Sequence, residues 1–260
     1  MTALPDPRQN HLLNALPAVD LKRISPYLEL VPMPVGKSFS ELDGKSLYAY
    51  FPITSIVSLL YVMEAGTLAE IASVGNEGML DISLFAEGIT TPCLAIVRTA
   101  GFGYKMKARL LMEEFNRAGV LERLLLRYAQ ALSTQISLTA ECNLHHSVYQ
   151  QLCRWLLQTI DRLPSNELSL SLDLVASMFG VNREAVKESL GNLHRAGFIN
   201  YRLGHITVLD RLELENQVCE CYGLIKQEFK RLQGLDFDSR PMPGSIKAWS
   251  KASTSINAQM

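Results

Sequence analysis

The sequence carries almost no net charge. Its 25 Lys and Arg stand against 26 Asp and Glu, which leaves −1 at neutral pH. That excludes a protein that coats nucleic acid by bulk positive charge, and leaves open one that gathers its cations on a small face. Long apolar runs are missing too. The first stretch of any length, residues 53–63, is broken by Thr54, Ser55 and Ser58 and falls short of the roughly 20 residues needed to span a bilayer. No basic-then-apolar signal opens the chain, so a soluble, cytoplasmic protein without membrane contact is expected. The five cysteines (Cys93, Cys142, Cys153, Cys219, Cys221) are an odd and scattered set, unlike a secreted disulfide framework. Nucleophile–base constellations, phosphate-gripping glycine loops and clustered metal ligands are not visible. Neither an enzyme nor a cofactor nor a metal site is therefore expected.

What is present is ordinary globular composition, 48% apolar and 20% charged, in a chain long enough for two modest domains. In residues 10–30, Leu12, Leu13, Leu16, Leu21, Ile24 and Leu28 recur at helical spacings interrupted by Pro17 and Pro26, which predicts two short helices. From residue 31 to 106, β-rich runs such as "YAYFPI", "SIVSLLYVM", "LAEIASV" and "CLAIVRT" alternate with turn signals. The signals are Asp43-Gly44, Ala65-Gly66, Gly75-Asn76, Glu87-Gly88 and Gly101. Strands about ten residues apart with glycine at the corners predict a jelly roll or β-roll. A helix ending near Gly119 follows, then a long helix of roughly 28 residues, a rod of ~40 Å. Leu121, Leu125, Tyr128, Leu132, Gln135 and Thr139 form a heptad-like seam along it. The seam either packs against its own domain or pairs with a symmetry mate. The length favours a homodimer, with Leu121, Leu125, Tyr128 and Leu132 at its interface.

An amphipathic helix over residues 148–163 and a short strand with Leu168 and Leu170 lead into "SLDLVASMFGVNREAVKESLGNLHRAGFI". Two short apolar-periodic segments hinge there at Gly180, with small Ala176 four positions earlier. Val175, Phe179, Val181, Val186, Leu190 and Leu193 supply the internal core. Asn182 stands at an N-cap position with Glu184 in the first turn, and Ala196-Gly197 closes the second helix. "FINYRLGHITVLD" then alternates about Leu203-Gly204 as a hairpin. Helix, turn, helix and wing in that order predict a winged helix-turn-helix whose second helix enters the major groove. Between Arg183 and His205, the four cations Arg183, Lys187, Arg195 and Arg202 face two anions, Glu184 and Glu188. Arg183 and Glu184 suit base reading, with Asn182 and Glu188 beside them on the DNA-binding face. Lys187, Arg195, Arg202 and His205 suit phosphate, with His194 a further donor. The competing interpretation is a solvated ladder of charges four residues apart.

Residues 168–210, "LSLSLDLVASMFGVNREAVKESLGNLHRAGFINYRLGHITVLD", resemble in register the helix-turn-helix of the CRP/FNR family of bacterial transcription regulators. The match includes Arg183, Glu184 and Val186 and the wing ending at Asp210. The resemblance implies an α+β chain in four parts. These are a cyclic-nucleotide-binding-like β-roll (residues 1–118), a dimerisation helix (119–146), a winged helix-turn-helix domain (147–233) and a disordered tail (234–260). It further implies a homodimer on two-fold-related double-stranded DNA that acts through RNA polymerase or by occlusion, tuned by an unidentified small-molecule effector or by none. Cyclic-AMP-responsive members carry Gly-Glu followed about ten residues later by Arg-Ser. Here Thr90, Thr91, Pro92 and Cys93 occupy that place and Arg98 is the next arginine, which argues against cyclic AMP and leaves ligand-binding residues unassigned. The N-terminal cysteines of the oxygen-sensing branch are absent, and Glu188 stands where a second arginine is familiar, so the DNA site should differ.

Cys219-Glu220-Cys221 lacks the C-x-x-C spacing of metal or redox pairs, and residues two apart on a helix diverge, so packing thiols are expected. His145-His146 has the same reading as solvated polar residues. The functional alternative to DNA binding is a metabolite-sensing adaptor whose C-terminal domain binds protein, which would show an exposed apolar groove there.

Overall fold

The computed structural model describes residues 5–39, 47–62, 68–85 and 93–233. The turns expected at Asp43-Gly44, Ala65-Gly66 and Glu87-Gly88, residues 90–92, and the tail from 234 lie outside them. Two short helices, α1 (His11–Asn14) and α2 (Ala18–Ile24), open the chain. Asn10 fixes the first of them from a fully buried position. Its Oδ1 accepts from the Leu12 and Leu13 amides, and its Nδ2 donates to the Pro52 and Gly78 carbonyls at 2.9 and 2.8 Å.

Six strands follow: β1 (Glu29–Met33), β2 (Tyr48–Pro52), β3 (Ile56–Val62), β4 (Leu68–Val74), β5 (Cys93–Thr99) and β6 (Gly101–Lys107). They form two antiparallel three-stranded sheets, ordered β1-β6-β2 and β4-β3-β5, which is the expected roll. Met33, Phe51, Val57, Val74, Val97 and Met106 are buried between the layers. Each such side chain removed from water contributes roughly 1.5–3 kcal/mol before entropy is counted.

The remaining elements are α3 (Ala108–Phe115), α4 (Val120–His145), α5 (Val148–Ile160), β7 (Glu167–Ser169), α6 (Leu172–Phe179), α7 (Arg183–Arg195), β8 (Ile199–Arg202), β9 (His205–Val208), α8 (Arg211–Gln217) and α9 (Glu220–Gln233). No described helix is long and apolar enough to cross a membrane.

Two expectations are corrected. The seam Leu121, Leu125, Tyr128 and Leu132 does not face outward, for all four are buried within their own chain. The reason is α9, which folds back so that Ile225, Phe229 and Leu232 join the same core. The outward face of α4 instead bears Arg123, Leu126, Gln130, Ser133, Ser137, Ala140 and Leu144, all exposed and stepping alternately by three and four. α9 also reaches the second core, where its Tyr222 packs with the helix-turn-helix residues. α5 keeps the expected amphipathic pattern, but its polar residues are covered too. Residues 151–159 are all buried, because the helix is sandwiched between the roll and the C-terminal helices. Finally, Cys219 and Cys221 do not share a helix: Cys219 lies just before α9 and Cys221 in its first turn, so both are buried on one side.

Candidate nucleic-acid interface

Ser171 starts α6 by accepting the Leu174 amide at 3.4 Å. Gly180 ends it with φ 66° and ψ 30°, a left-handed conformation that costs a residue bearing Cβ. The Val181 amide then bonds back to the Ala176 carbonyl, and Asn182 Oδ1 caps α7 by accepting the Ala185 amide at 2.8 Å. Only three residues thus separate the helices. Val175, Ala176, Phe179, Val186, Leu190 and Leu193 are buried between them and α5, as their spacing predicts, with Val181 half-buried.

With the apolar side of α7 committed inward, its outer side is left to Arg183, Glu184, Lys187, Glu188 and Arg195, each exposed. Their mutual ties are weak. Arg183 Nε lies 3.4 Å from Asp173, and Lys187 Nζ lies 3.5 Å from Glu184. Exposed pairs of this kind are worth about 0–1 kcal/mol, so an incoming phosphate or guanine displaces them at little cost. Arg195 Nη2 donates to Asn192 Oδ1 at 2.5 Å. Asn182, by contrast, is already engaged as the cap.

The wing is a tight hairpin. Leu203 and Gly204 both have positive φ, 50° and 79°, as a two-residue type I′ turn requires. β8 and β9 pair in register from Ile199↔Val208 to Arg202↔His205, and β7 extends the sheet on the far side of β9. Arg202 and His205 therefore stand opposite one another and exposed at the base of the turn, His205 Nδ1 being 3.3 Å from Ser169 Oγ. His194 is differently placed from the expected free donor. Its Nδ1 accepts the Tyr201 amide at 3.3 Å and ties the end of α7 to the wing. The outer surface of α7 shows no large exposed apolar side chain.

Residues 150–217 match the model of the Crp-like helix-turn-helix domain. The chain has a Crp-like helix-turn-helix on the CRP/FNR fold. Similar solved structures include a regulator assigned to the CRP/FNR family from Eubacterium rectale, with 16% identity, 79% of this chain and 96% of that one covered, and a TM-score of 0.61. FixK2 from Bradyrhizobium japonicum shares 16% identity over 74% of this chain and 98% of its own, with a TM-score of 0.59. The c-di-GMP-responsive regulator CLP of Xanthomonas campestris shares 16% identity over 74% and 99%, with a TM-score of 0.55. Comparison with curated protein sequences gave no match.

Within this fold, the loop after β4 is packed against the long helix. Tyr128 closes over it: its hydroxyl donates to the Met79 carbonyl at 2.8 Å, and a Cβ on Gly78 would stand 2.4 Å from that hydroxyl. Glu77 is ion-paired to Arg162 at 2.7 Å. Arg98 bridges β4 and α5, lying 3.4 Å from Glu70, donating to Thr159 at 3.0 Å and stacking on Trp155 at 4.5 Å. A cavity of about 230 Å³ is lined by Glu77, Arg162, Tyr222 and Phe229, and another of about 590 Å³ by Tyr48, Lys107 and Arg109. Sequence reasoning missed Arg162 entirely, for nothing local distinguishes it from any other helix-terminal arginine.

Proposed function

We propose that this protein is a sequence-specific DNA-binding transcription regulator that acts as a homodimer in the cytoplasm, with a signal other than cyclic AMP. The observation that carries the proposal is the exposed outer face of α7, where Arg183 and Lys187 sit with weakly tied counter-charges beside the Arg202–His205 wing. Arg183, Glu184 and Glu188 read base edges in the major groove. Lys187, Arg195, Arg202 and His205 hold phosphates, and Asn182 holds the first turn of the helix in place. The absence of an exposed apolar groove on α7 disfavours the adaptor alternative.

The homodimer forms through the outward heptad stripe of α4. Leu126 and Leu144 are apolar anchors, 54% and 77% exposed in the single chain. Ser133, Ser137 and Ala140 between them are small enough for two helices to approach closely, and Ser137 Oγ already donates to the Ser133 carbonyl. The roll (residues 1–118) with the dimerisation segment (119–146) and the reading domain from 147 are the working parts, with α9 serving the first of them.

Selection from a random duplex pool tests this directly. A palindromic site should be enriched, with half-site centres about one helical turn, ~34 Å, apart. Absence of any enriched sequence, together with an Arg183→Ala variant of unchanged affinity, would refute the reading.

A further inference from the structure

Outside the two main cores lies a third, small cluster built from Cys142, Cys219 and Cys221, with Val218 packed against it and no leucine or aromatic side chain among its members. The imidazole of His146 completes it. One ligand atom from each of Cys142, His146, Cys219 and Cys221 lies within 4.8 Å of all the others. Local structure explains the convergence. Cys142 and His146 are four apart at the end of α4 and so share a face. Cys219 sits just ahead of α9 and Cys221 in its first turn, where the chain has bent enough to aim both sulfurs at the same point.

The distances discriminate between the chemistries open to three thiols and an imidazole. Cys142 Sγ and Cys219 Sγ are 3.6 Å apart, and Cys221 Sγ and His146 Nδ1 are 3.7 Å apart. A disulfide would need about 2.05 Å. Four ligands on a tetrahedron around one ion, with metal–sulfur bonds of about 2.3 Å, stand ~3.7 Å apart. An iron–sulfur cluster spreads its sulfurs wider than a single ion does.

Two neighbours have the character expected around such an ion. His146 Nε2, the ring nitrogen facing away from the sulfurs, lies 3.5 Å from the Glu220 carboxylate. A carboxylate at that position fixes the tautomer that leaves Nδ1 free to bind metal. Arg154 is the second. It is buried, its ion pairs are with no carboxylate among the described residues, and its Nε lacks a hydrogen-bond partner there. Its charge acts on Cys142 and Cys221. Three thiolates and one divalent cation sum to −1, which the guanidinium neutralises.

We infer that Cys142, His146, Cys219 and Cys221 form a closed Cys₃His site for one zinc ion, which fastens the start of α9 to the end of α4. All three cysteines are buried and the four positions are filled by protein, which is the pattern of a structural rather than a catalytic zinc. Binding releases the thiol protons to solvent and involves no change of oxidation state. The inference stands on side-chain placement and does not depend on the DNA reading.

The test is the metal content of the full chain, purified under reducing conditions without chelator. About one zinc per chain is expected. Exchange for cobalt(II) should give the visible bands of a tetrahedral ion and the near-ultraviolet thiolate-to-cobalt absorption. Cys219→Ser should lose most of the metal, Cys93→Ser should keep it, and His146→Cys should keep it with a spectrum moved toward an all-thiolate site. A chelator added to the wild-type chain should lower its melting temperature, a readout that survives even if Cys219→Ser fails to fold. Fully reduced protein that contains no zinc and gives no cobalt spectrum would overturn the assignment. So would undiminished metal in folded Cys219→Ser.

Discussion

Arg162 and Glu77 form a buried ion pair, 2.7 Å from Nη2 to Oε1, that joins the segment after α5 to the loop after β4. Arg162 also donates to the hydroxyl and the carbonyl of Ser73, at 2.7 and 3.2 Å. Glu77 Oε2 has no hydrogen-bond partner among the described residues, and besides the guanidinium the carboxylate is held by the Gly75 amide, which donates to Oε1 at 3.2 Å. Removing one member of such a pair strands a charge. Arg162→Met should destabilise the chain by about 3–5 kcal/mol, and adding Glu77→Gln should recover part of that loss. Urea unfolding of the four members of the cycle measures both.

The two faces of α4 should separate cleanly under mutation. Leu126→Glu is expected to give a monomer by sedimentation velocity with little change in melting temperature. Leu125→Ala, one residue away but 1% exposed, should leave the oligomer alone and cost about 2–5 kcal/mol. A dimer that survives Leu126→Glu and Ser137→Glu together would remove the outward stripe from consideration.

On DNA, the arginines of α7 and of the wing should behave differently. Arg183→Ala should weaken the selected site by about 1–3 kcal/mol and relax its sequence preference. Arg202→Ala should weaken all sequences alike and lower the salt slope by about one. Fluorescence anisotropy with matched and scrambled duplexes at several salt concentrations reads both effects.

Acid should act partly through His11. Burial holds its imidazole below the ordinary 6.5, and the Glu77 carboxylate offsets this only in part. The folded chain keeps His11 neutral while the unfolded chain takes up a proton first. The stability this neutral ring allows is therefore complete above pH 6.5 and is lost as pH falls from there through the lower folded value. His11→Gln should flatten the fall in melting temperature between about pH 7 and pH 5.

The reading head was legible because its rules are local. Gly180, Asn182 and the Leu203-Gly204 pair each declare a backbone conformation within a few residues, and all three adopt it. The long helix was legible as a rod, but which side faced inward was not. That depended on Ile225 and Phe229, some hundred positions away along the sequence. The sulfur cluster was hidden by the same distance: Cys142 and Cys219 are 77 residues apart, and the spacing of Cys219 and Cys221 misleads if both are placed on one helix. Arg98 and Arg162 belong with these. Their partners come from other elements, and no periodicity announces them.

The return of α9 onto α4 also changes the mechanics of the C-terminal half. A body hung from one strap swings through a cone. The reading domain leaves α4 through α5 and comes back to it through α9, so it is strung between two anchorages. It is also held to the roll directly, for Leu60 of β3 lies in its core and Ser177 Oγ donates to the Leu68 carbonyl of β4. The position of α7 relative to α4 is therefore set by several separate ties rather than by one linker.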